Sequence, residues 1–581
     1  MKKQRNTIKM IEENIAITPP PGAPPAPPNC DGPRRKKYTT FDTLLEREAQ
    51  HVIDVVRPAF EQGASRATPY ALKTMACENT SFAISMINPE RPSKDKLPYP
   101  KGLHTVQIAM FMVAFNYVCN IRCGDDGRDP VLGIYMTDGE YAGTYRTDIV
   151  SIRRVIRQYN SILTPSEVKA VIEILEERAP IKERCNNPDL IPVNNGIFNF
   201  QTKELHPFTP DLIFMSKSKV DYVPNPANPV IIMPDGVPWD VESWMAGLSD
   251  DPEIVQLLWE VTGAIIRPNV DWGQCVMPYA TSGCNGKGTF CTMLRGLCGR
   301  GTYTSISIFD LGQRFQTESL INSSAIIVDE NTIGGYLDDA ANFKAIITHD
   351  AIGVDRKNRI RINNFVFAGL TIQCINELPK IRDRTGSLYR RLLLVPFDKC
   401  YTGKARPYIK SDYLKRSDVL EYVLHKVLHM NYDKFSQPAA CLKLLNQYKV
   451  YNDTVQEFWS EVRDQFVWSL LPWEFLFDLY LAWLKKTNPS GKPQSRASFR
   501  AAMREIVNTD SDWMCYTKPD GTDAKVRPGK YITQPEPLIG EYNLYGWRGN
   551  LTLPNFPYLK THYTGLLRIT AGSVGTTPDT D

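Results

Sequence analysis

Short apolar runs alternate with helix-like stretches in the middle of the chain, between about residues 230 and 397. The runs Gln274–Ala280, Ala325–Glu330 and Leu370–Asn376 consist mostly of apolar residues. A strand buried on both faces of a parallel sheet has this character, whereas a strand with one face in water alternates apolar and polar residues. The pattern therefore predicts an α/β core with a parallel sheet, which we assign to residues 230–410.

A different mixture of elements precedes this core. The segment Asp148–Asn160 has apolar residues at helical spacing, and Val131–Tyr135 is a short strand-like run. These features predict an α/β (α+β) domain at residues 38–229. The stretch from 222 to 238 is rich in Pro, Asn and Gly without a regular period, which favours a linker between this domain and the core.

The chain becomes helical again after Phe397. Two amphipathic stretches, Glu474–Lys486 and Ser495–Val507, precede the segment Trp513–Ile532, in which a Pro-Asp-Gly turn separates two strand-like arms. Two helices followed by a hairpin predict a winged helix, within a helical C-terminal domain at residues 411–570.

The two ends of the chain have the composition of unstructured segments. Residues 16–36 contain many prolines, which support neither helix nor sheet hydrogen bonds, and end in a basic cluster. We expect a disordered, Pro-rich basic arm at residues 1–37 and a polar tail at residues 571–581.

Charge and cysteine content narrow the class of protein only slightly. The 581 residues include 68 Lys and Arg against 64 Asp and Glu, a net charge of +4, so any nucleic-acid contact must come from local patches. The 13 cysteines follow no disulfide or zinc spacing, which indicates reduced, intracellular thiols. Because no apolar stretch is long enough to span a bilayer, we expect a soluble protein without a membrane partner.

A glycine-rich loop follows the first predicted core strand and precedes a helix-like stretch. Its glycines let backbone N–H groups converge on a phosphate chain, and Lys287 supplies an ammonium group. Strand, loop and helix in this order are the context of a P-loop. The predicted ATP-binding residues are Thr281, Ser282, Gly283, Cys284, Asn285, Gly286, Lys287, Gly288 and Thr289.

This loop departs from the standard P-loop pattern at two positions. Thr281 stands where the first glycine is expected, and Gly288 stands where a serine or threonine hydroxyl normally meets magnesium. Thr289 is then the available hydroxyl for Mg²⁺. We expect the side chain of Lys287 to be exposed to phosphate and not to join a core.

Polar residues end the next two predicted strands. Asp329 and Glu330 follow the second apolar run. In a P-loop enzyme the first carboxylate holds the Mg²⁺ shell and the second polarises the attacking water, so we predict Thr289 and Asp329 as Mg²⁺ ligands and Glu330 as general base. Asn376 ends the third run, where its amide is placed to bond the γ-phosphate or the water, although a strand-end Asn is usually a turn former.

Two adjacent arginines, Arg390 and Arg391, abut the apolar run that follows. A guanidinium supplied by a neighbouring subunit stabilises the charge on the transferring phosphoryl group, an effect of roughly 10³ to 10⁵ in rate in other NTPases. We assign one of this pair to that role, and the sequence does not distinguish between them.

These motifs, in this order and at this spacing, resemble the superfamily 3 DNA helicases, specifically the poxvirus-type primase-helicases of phages, plasmids and mobile genomic islands. The resemblance covers residues from about 130 to 510, including Ile191–Asp211 and Leu257–Pro268 ahead of the P-loop. It implies an AAA+ ATPase that uses Mg²⁺–ATP, assembles as a homo-oligomeric ring, usually a hexamer, and moves 3′ to 5′ on single-stranded DNA. By this resemblance the protein would act on forked DNA at a replication origin, in the cytoplasm of a bacterial host.

The resemblance also implies a DNA-gripping hairpin within Phe343–Arg361, where cations in a ring channel would contact phosphates without reading sequence. In the predicted winged helix, Arg496 and Arg500 recur at a spacing of four together with Arg504. That face can meet DNA phosphates, although a salt-bridged surface helix has the same spacing. The predicted DNA-binding residues are Arg356, Lys357, Arg359, Arg361, Arg496 and Arg500.

Two other functions stay open on the sequence alone. One is a sequence-specific, origin-binding initiator in which ATP drives assembly only, and the other is a bifunctional primase-helicase. Nucleotidyl transfer uses two metals and needs paired carboxylates, but the one tight acidic group, Asp125, Asp126 and Asp129, lies among Gly and Pro residues that favour a surface turn. We therefore assign no primase activity.

Overall fold

The computed structural model describes residues 39–61, 67–124, 130–331, 336–337, 340–357, 359–381, 386–452, 454–487 and 493–569. The predicted arm, the predicted tail and the acidic group at 125–129 lie outside these residues.

The described residues between 39 and about 185 form helices packed on a small mixed sheet. The elements are α1 (Phe41–Glu61), α2 (Pro69–Ile87), α3 (Thr105–Phe115), β1 (Cys119–Arg122), β2 (Val131–Tyr135), β3 (Tyr145–Arg146), α4 (Ile149–Tyr159), α5 (Pro165–Arg178) and β4 (Ile181–Glu183). The strand order is β3–β2–β1–β4, antiparallel except for the β1–β4 pair. Asp148 caps α4 by accepting from the N–H of Ser151, and Thr164 and Glu167 form a capping box at α5.

A short all-antiparallel segment leads into the core. It contains β5 (Leu190–Val193), β6 (Gly196–Asn199), β7 (Glu204–His206), β8 (Ile231–Ile232), β9 (Pro238–Trp239), α6 (Val241–Ala246) and α7 (Pro252–Ala264). Strands β5, β6 and β7 form one meander, and β8 pairs with β9. Two residues of the stretch predicted as a linker, Tyr222 and Met233, are buried. The ring of Tyr222 packs 4.7 Å from that of Phe198. This stretch therefore packs onto the core.

A five-stranded parallel sheet forms the centre of the molecule. The elements are β10 (Cys275–Tyr279), α8 (Lys287–Cys298), β11 (Tyr303–Thr304), β12 (Ala325–Val328), β13 (Tyr336–Leu337), α9 (Ala341–Ile347), β14 (Ala351–Val354), β15 (Ile362–Val366), β16 (Leu370–Gln373), β17 (Lys380–Ile381), α10 (Gly386–Tyr389) and β18 (Leu392–Pro396). The sheet order is β11–β12–β16–β10–β18, and every pair is parallel. The prediction of a parallel-sheet α/β core is confirmed.

Both faces of this sheet are buried, as its continuous apolar strands predict. Val276 and Ile327 point into one hydrophobic cluster together with α8, while Met277 and Ile326 point into a second cluster on the other face. The first cluster contains buried residues on both sides of positions 229 and 410. The predicted domain boundaries thus lie within a shared core.

The C-terminal part is helical with a three-stranded antiparallel sheet. Its elements are α11 (Pro407–Ser411), α12 (Ser417–His429), α13 (Ala439–Asn452), α14 (Thr454–Val462), β19 (Leu470–Pro472), α15 (Trp473–Thr487), α16 (Arg496–Val507), β20 (Trp513–Cys515), α17 (Pro537–Glu541) and β21 (Gly565–Arg568). The strand order is β19–β21–β20. A separate hydrophobic cluster draws its buried members from residues 455 to 567.

The predicted hairpin around the Pro-Asp-Gly turn forms only in part. Thr517 and Asp523 pair across the turn, and the N–H of Lys518 donates to the carbonyl of Thr522 at 2.7 Å. The second arm does not continue as a strand, because Pro528 has no N–H for a sheet ladder and begins a short 3-10 helix instead. Strand β20 pairs with the distant β21.

Among the described residues, no helix is long and apolar enough to cross a membrane.

Truncating Phe458 should destabilise the C-terminal part specifically. Its ring is fully buried and lies 5.6 Å from that of Tyr480 and 5.7 Å from that of Trp483. Phe458→Ala should lower the free energy of unfolding by about 3–5 kcal/mol in urea titrations followed by tryptophan fluorescence. Leu551→Ala is the matched control, since Leu551 is fully exposed, and should change this free energy by less than about 0.5 kcal/mol. Equal effects of the two substitutions would contradict the assigned core.

Candidate nucleotide-binding site

The predicted P-loop connects β10 to α8 at the carboxyl edge of the parallel sheet. Gly286 is the N-cap of α8 and has φ of 94°, which glycine adopts without strain. A Cβ there would lie 2.9 Å from Leu248 Cδ2, so the side chain of Leu248 would have to shift. Cys284 has φ of 54°, and its carbonyl accepts from the N–H of Tyr401 at 2.8 Å. The loop is thus shaped by contacts outside itself.

Lys287 is buried, with 5% of its surface exposed, although the sequence predicts an exposed side chain. Its Nζ donates to Asn376 Oδ1 at 2.8 Å and to the carbonyl of Ala280 at 3.4 Å. Burial lowers the pKa of Lys287 from its ordinary value, an effect partly offset by nearby acidic groups that include Glu330. The two oxygen acceptors satisfy a charge that would otherwise be costly to bury.

Asn376 reaches Lys287 because its strand lies beside the strand of the P-loop. Beyond β16, the N–H of Ile375 donates to the carbonyl of Pro278 at 3.0 Å, which extends the pairing with β10. The residue predicted at the end of the third apolar run therefore meets the lysine predicted in the loop after the first. An amide in this place can bond a phosphate oxygen or a water molecule.

Asp329 and Glu330 follow β12, at the same edge of the sheet. Asp329 Oδ2 accepts from Arg295 Nη1 at 2.6 Å, and Arg295 Nη2 also donates to the carbonyl of Ile327 at 3.2 Å. Burial would lower the pKa of Arg295, but the hydrogen bond and charge of Asp329 raise it above its ordinary value. Asp329 Oδ1 is buried and has no hydrogen-bond partner among the described residues.

The residues fit a magnesium ion that is held together with phosphates. Among the described residues, no group of three His, Cys, Asp or Glu side chains is placed to hold a metal alone. Mg²⁺ in nucleotide sites commonly takes one or two protein oxygens and completes its shell with phosphate and water. Asp329 Oδ1 and the hydroxyl of Thr289, in the first turn of α8, are oxygens of that kind.

Two residues that the sequence reasoning missed hold this edge together. Arg295 lies two turns after Lys287 on α8 and binds the carboxylate at the end of β12. Asn331 is buried, donates from Nδ2 to the carbonyl of Cys374 at 2.9 Å and accepts from Ser307 Oγ at 3.0 Å. The available signals were the helical spacing from Lys287 and an Asn that follows two carboxylates at a strand end.

Arg390 and Arg391 lie at the amino ends of the parallel strands, whereas the P-loop lies at their carboxyl ends. They precede β18, whose first residue Leu392 pairs with Cys275 at the start of β10. The P-loop begins beyond the other end of β10, about 16 Å away along the strand. Arg391 Nη1 donates to Ser387 Oγ at 2.7 Å, whereas Arg390 is exposed. The structure thus distinguishes an anchored arginine from an exposed one.

The predicted basic hairpin consists of β14 and β15, with the cations in the connecting loop. Lys357 and Arg361 are exposed, and Arg361 lies 3.7 Å from Asp355. Arg356 is partly buried, and burial and the charge of Arg359 lower its pKa from the ordinary value, against the opposing charge of Glu318. The four cations therefore share one loop but have different environments.

The arginines of α16 are largely engaged in ion pairs. Arg496 Nη2 lies 3.8 Å from Asp478 Oδ1, and Arg504 Nη2 lies 2.5 Å from Asp523 Oδ1. Arg500, between them on the same face, is partly exposed. Two of the three arginines therefore match the alternative of a salt-bridged surface helix.

Three family models match separate parts of the chain. Residues 147–262 match "D5 N terminal like", residues 279–391 match "Family of unknown function (DUF5906)" and residues 451–532 match "Poxvirus D5 protein-like". No curated protein matches the chain at a significant level.

Two solved structures of other proteins are weakly similar to this chain. The A form apo structure of the NrS-1 C terminal region is 14% identical over 76% of this chain and 90% of that chain, with a TM-score of 0.37. A JCV helicase bound to an acetamide compound is 15% identical over 36% of this chain and 58% of that chain, with a TM-score of 0.24.

The two D5-type matches flank the segment that contains the P-loop, the acidic strand end and Asn376. The resemblance to the poxvirus D5-type primase-helicases that these motifs carry is thereby confirmed for the matched residues.

Proposed function

We propose that the chain is an ATP-dependent DNA helicase with an AAA+ core. It binds Mg²⁺–ATP at residues 281–289, forms a homo-oligomeric ring, a hexamer by resemblance, and unwinds DNA 3′ to 5′. It does so during replication initiation of a phage, plasmid or mobile genomic island, in the host cytoplasm. The observation that carries the proposal is the 2.8 Å hydrogen bond between Lys287 Nζ and Asn376 Oδ1.

The groups of one subunit that would take part in ATP hydrolysis lie at the same edge of the sheet. Backbone N–H groups of the loop and the start of α8 would receive the phosphates, with Lys287 exchanging Asn376 for a phosphate oxygen. Thr289 and Asp329 would hold Mg²⁺, which neutralises charge on the β- and γ-phosphates when it is bound. Glu330 would take the proton of the attacking water, while Asn376 orients that water.

Replacing Glu330 by Gln should trap ATP. The amide keeps the shape of the side chain but cannot accept a proton, so hydrolysis should fall by roughly 10² or more while Mg²⁺–ATP stays bound. Hydrolysis is measured by phosphate release and binding by isothermal titration. Lys287→Ala is the control for lost binding, since it removes the ammonium that meets the phosphates. An E330Q protein that turns over ATP at the parental rate would assign the base elsewhere.

The exposed arginine at the far edge of the sheet supports completion of the site by a neighbour. Arg390 lies about 16 Å along the strand from its own P-loop, too far to serve it, but it is exposed for one on an adjacent subunit. Arg391 is instead held by its hydrogen bond to Ser387 of α10. We therefore favour Arg390 as the residue that acts on the neighbour's phosphoryl group.

Arg390→Ala should lower ATP turnover by roughly 10³-fold or more without preventing ATP binding. A mixture with Lys287→Ala subunits should recover activity, since each inactive subunit carries the group that the other lacks. The recovered rate is measured by phosphate release at constant total protein. Full activity of R390A alone, or no recovery on mixing, would rule out Arg390 acting in trans.

The basic hairpin and the C-terminal helices are the candidate contacts to single-stranded and forked DNA. The hairpin cations lie in the loop between β14 and β15, where Lys357 and Arg361 are exposed and can meet the phosphates of a strand. The order α14, β19, α15, α16, β20 and β21 is compatible with a winged helix whose partly exposed Arg500 meets an origin duplex. If the parent protein binds origin DNA but never unwinds a fork, the initiator function replaces the helicase.

Replacing Lys357 and Arg359 by Ala should stop unwinding of a forked duplex while DNA-independent ATP hydrolysis remains. The change removes cations that neutralise DNA phosphates in every subunit, so the salt dependence of single-strand binding should flatten by about 0.7 in log–log slope for each phosphate that is no longer neutralised. Lys94→Ala with Lys96→Ala is the matched control, because these two lysines have the same spacing and are exposed elsewhere. Unwinding at the parental rate by the hairpin variant would move DNA engagement to α16.

A further inference from the structure

The segment after β18 folds back over the P-loop. The N–H of Tyr401 donates to the carbonyl of Cys284 at 2.8 Å, and the Tyr401 hydroxyl donates to the carbonyl of Gly247 at 2.6 Å. The chain then enters α11, which carries Lys410. This segment is therefore a wall of the phosphate site, although none of its residues belongs to the P-loop motif.

Lys410 lies at the first turn of α8. A Cβ built on Gly288 would stand 3.3 Å from Lys410 Nζ, closer than most Cβ contacts. Gly288 is also the position at which the loop departs from the standard motif by lacking a hydroxyl side chain. The space that this side chain would occupy thus lies against the ammonium of Lys410.

Lys410 is exposed and adds a positive charge beside the N-terminal end of α8. The N-terminal end of a helix carries a partial positive charge, and α8 is a helix of 12 residues. Two other cations of the same segment have acidic partners, with Lys399 Nζ 2.8 Å from Asp250 Oδ1 and Arg406 Nη2 2.8 Å from Asp235 Oδ2. Among the described residues, no carboxylate forms an ion pair with Lys410.

We propose that Lys410 is a second cationic ligand of the nucleotide's phosphate chain, and that Gly288 keeps open the space through which its ammonium reaches the phosphates. The inference rests on the proposed ATP site and adds a residue from outside the P-loop to it. Lys287 approaches from the side of Asn376 and Lys410 from the side of α11, so the phosphates are held between two ammonium groups.

Affinity measurements on three variants test this role. Lys410→Ala should weaken ATP binding by roughly ten- to a hundredfold, the loss of one charged hydrogen bond, while Lys410→Arg should retain most of the affinity. Lys415→Ala is the matched control, since Lys415 is an exposed lysine five positions further along, and should bind ATP like the parent. Isothermal titration gives each dissociation constant, and circular dichroism checks the fold.

A second measurement needs no variant. ATP should slow the acylation of Lys410 by an amine-reactive ester in the parent protein, while Lys415 reacts at an unchanged rate, as read by peptide mass spectrometry. If the parent protein does not bind ATP, the proposed function and this inference both fail. If the parent binds ATP and Lys287→Ala does not, parental affinity of Lys410→Ala together with unprotected Lys410 would overturn the inference alone.

Discussion

The hydrogen bond between Lys287 and Asn376 depends on one constraint, the position of β16 between β10 and β12. Ile372 pairs with Val276 on one side and with Ile327 on the other, so a single residue fixes the register of all three strands. Because parallel strands end at the same edge, the loops that follow them meet there. A shift of β16 by one residue would exchange its two buried faces and carry Asn376 away from Lys287.

Acidic and basic side chains at this edge compensate each other's charges within the protein. Asp329 and Glu330 place two carboxylates at the end of a buried strand, which would be unfavourable without nearby cations. Arg295 bonds the first, and Lys287 lies near enough to Glu330 to sense its charge. Since both cations come from α8, the helix that begins at the glycine-rich loop also holds the acidic strand end. The packing of α8 in the first cluster therefore positions both halves of the site.

Local signals in the sequence predicted the elements but not their neighbours. Apolar runs located β10, β12 and β16, and glycine spacing located the loop, because both depend on residues close together in the chain. Arg295 has the appearance of a surface helix residue until β12 is placed beside α8. Likewise, Pro- and Asn-rich composition at 222–238 predicted a linker, since composition cannot reveal that Tyr222 packs on Phe198. Contacts between distant segments decided these cases.

The carboxyl and amino edges of the parallel sheet carry different functional side chains, and this difference limits how subunits can associate under the proposed function. One edge carries Lys287, Glu330 and Asn376, and the opposite edge carries Arg390, about 16 Å along the strand. A twofold contact pairs one surface patch with itself, so it closes at two subunits and brings Arg390 to the partner's site only if that patch contains both edges. A head-to-tail contact joins unlike edges and completes one site for each interface. Repeated with a rotation that closes, this contact produces a ring in which every site is shared by two subunits.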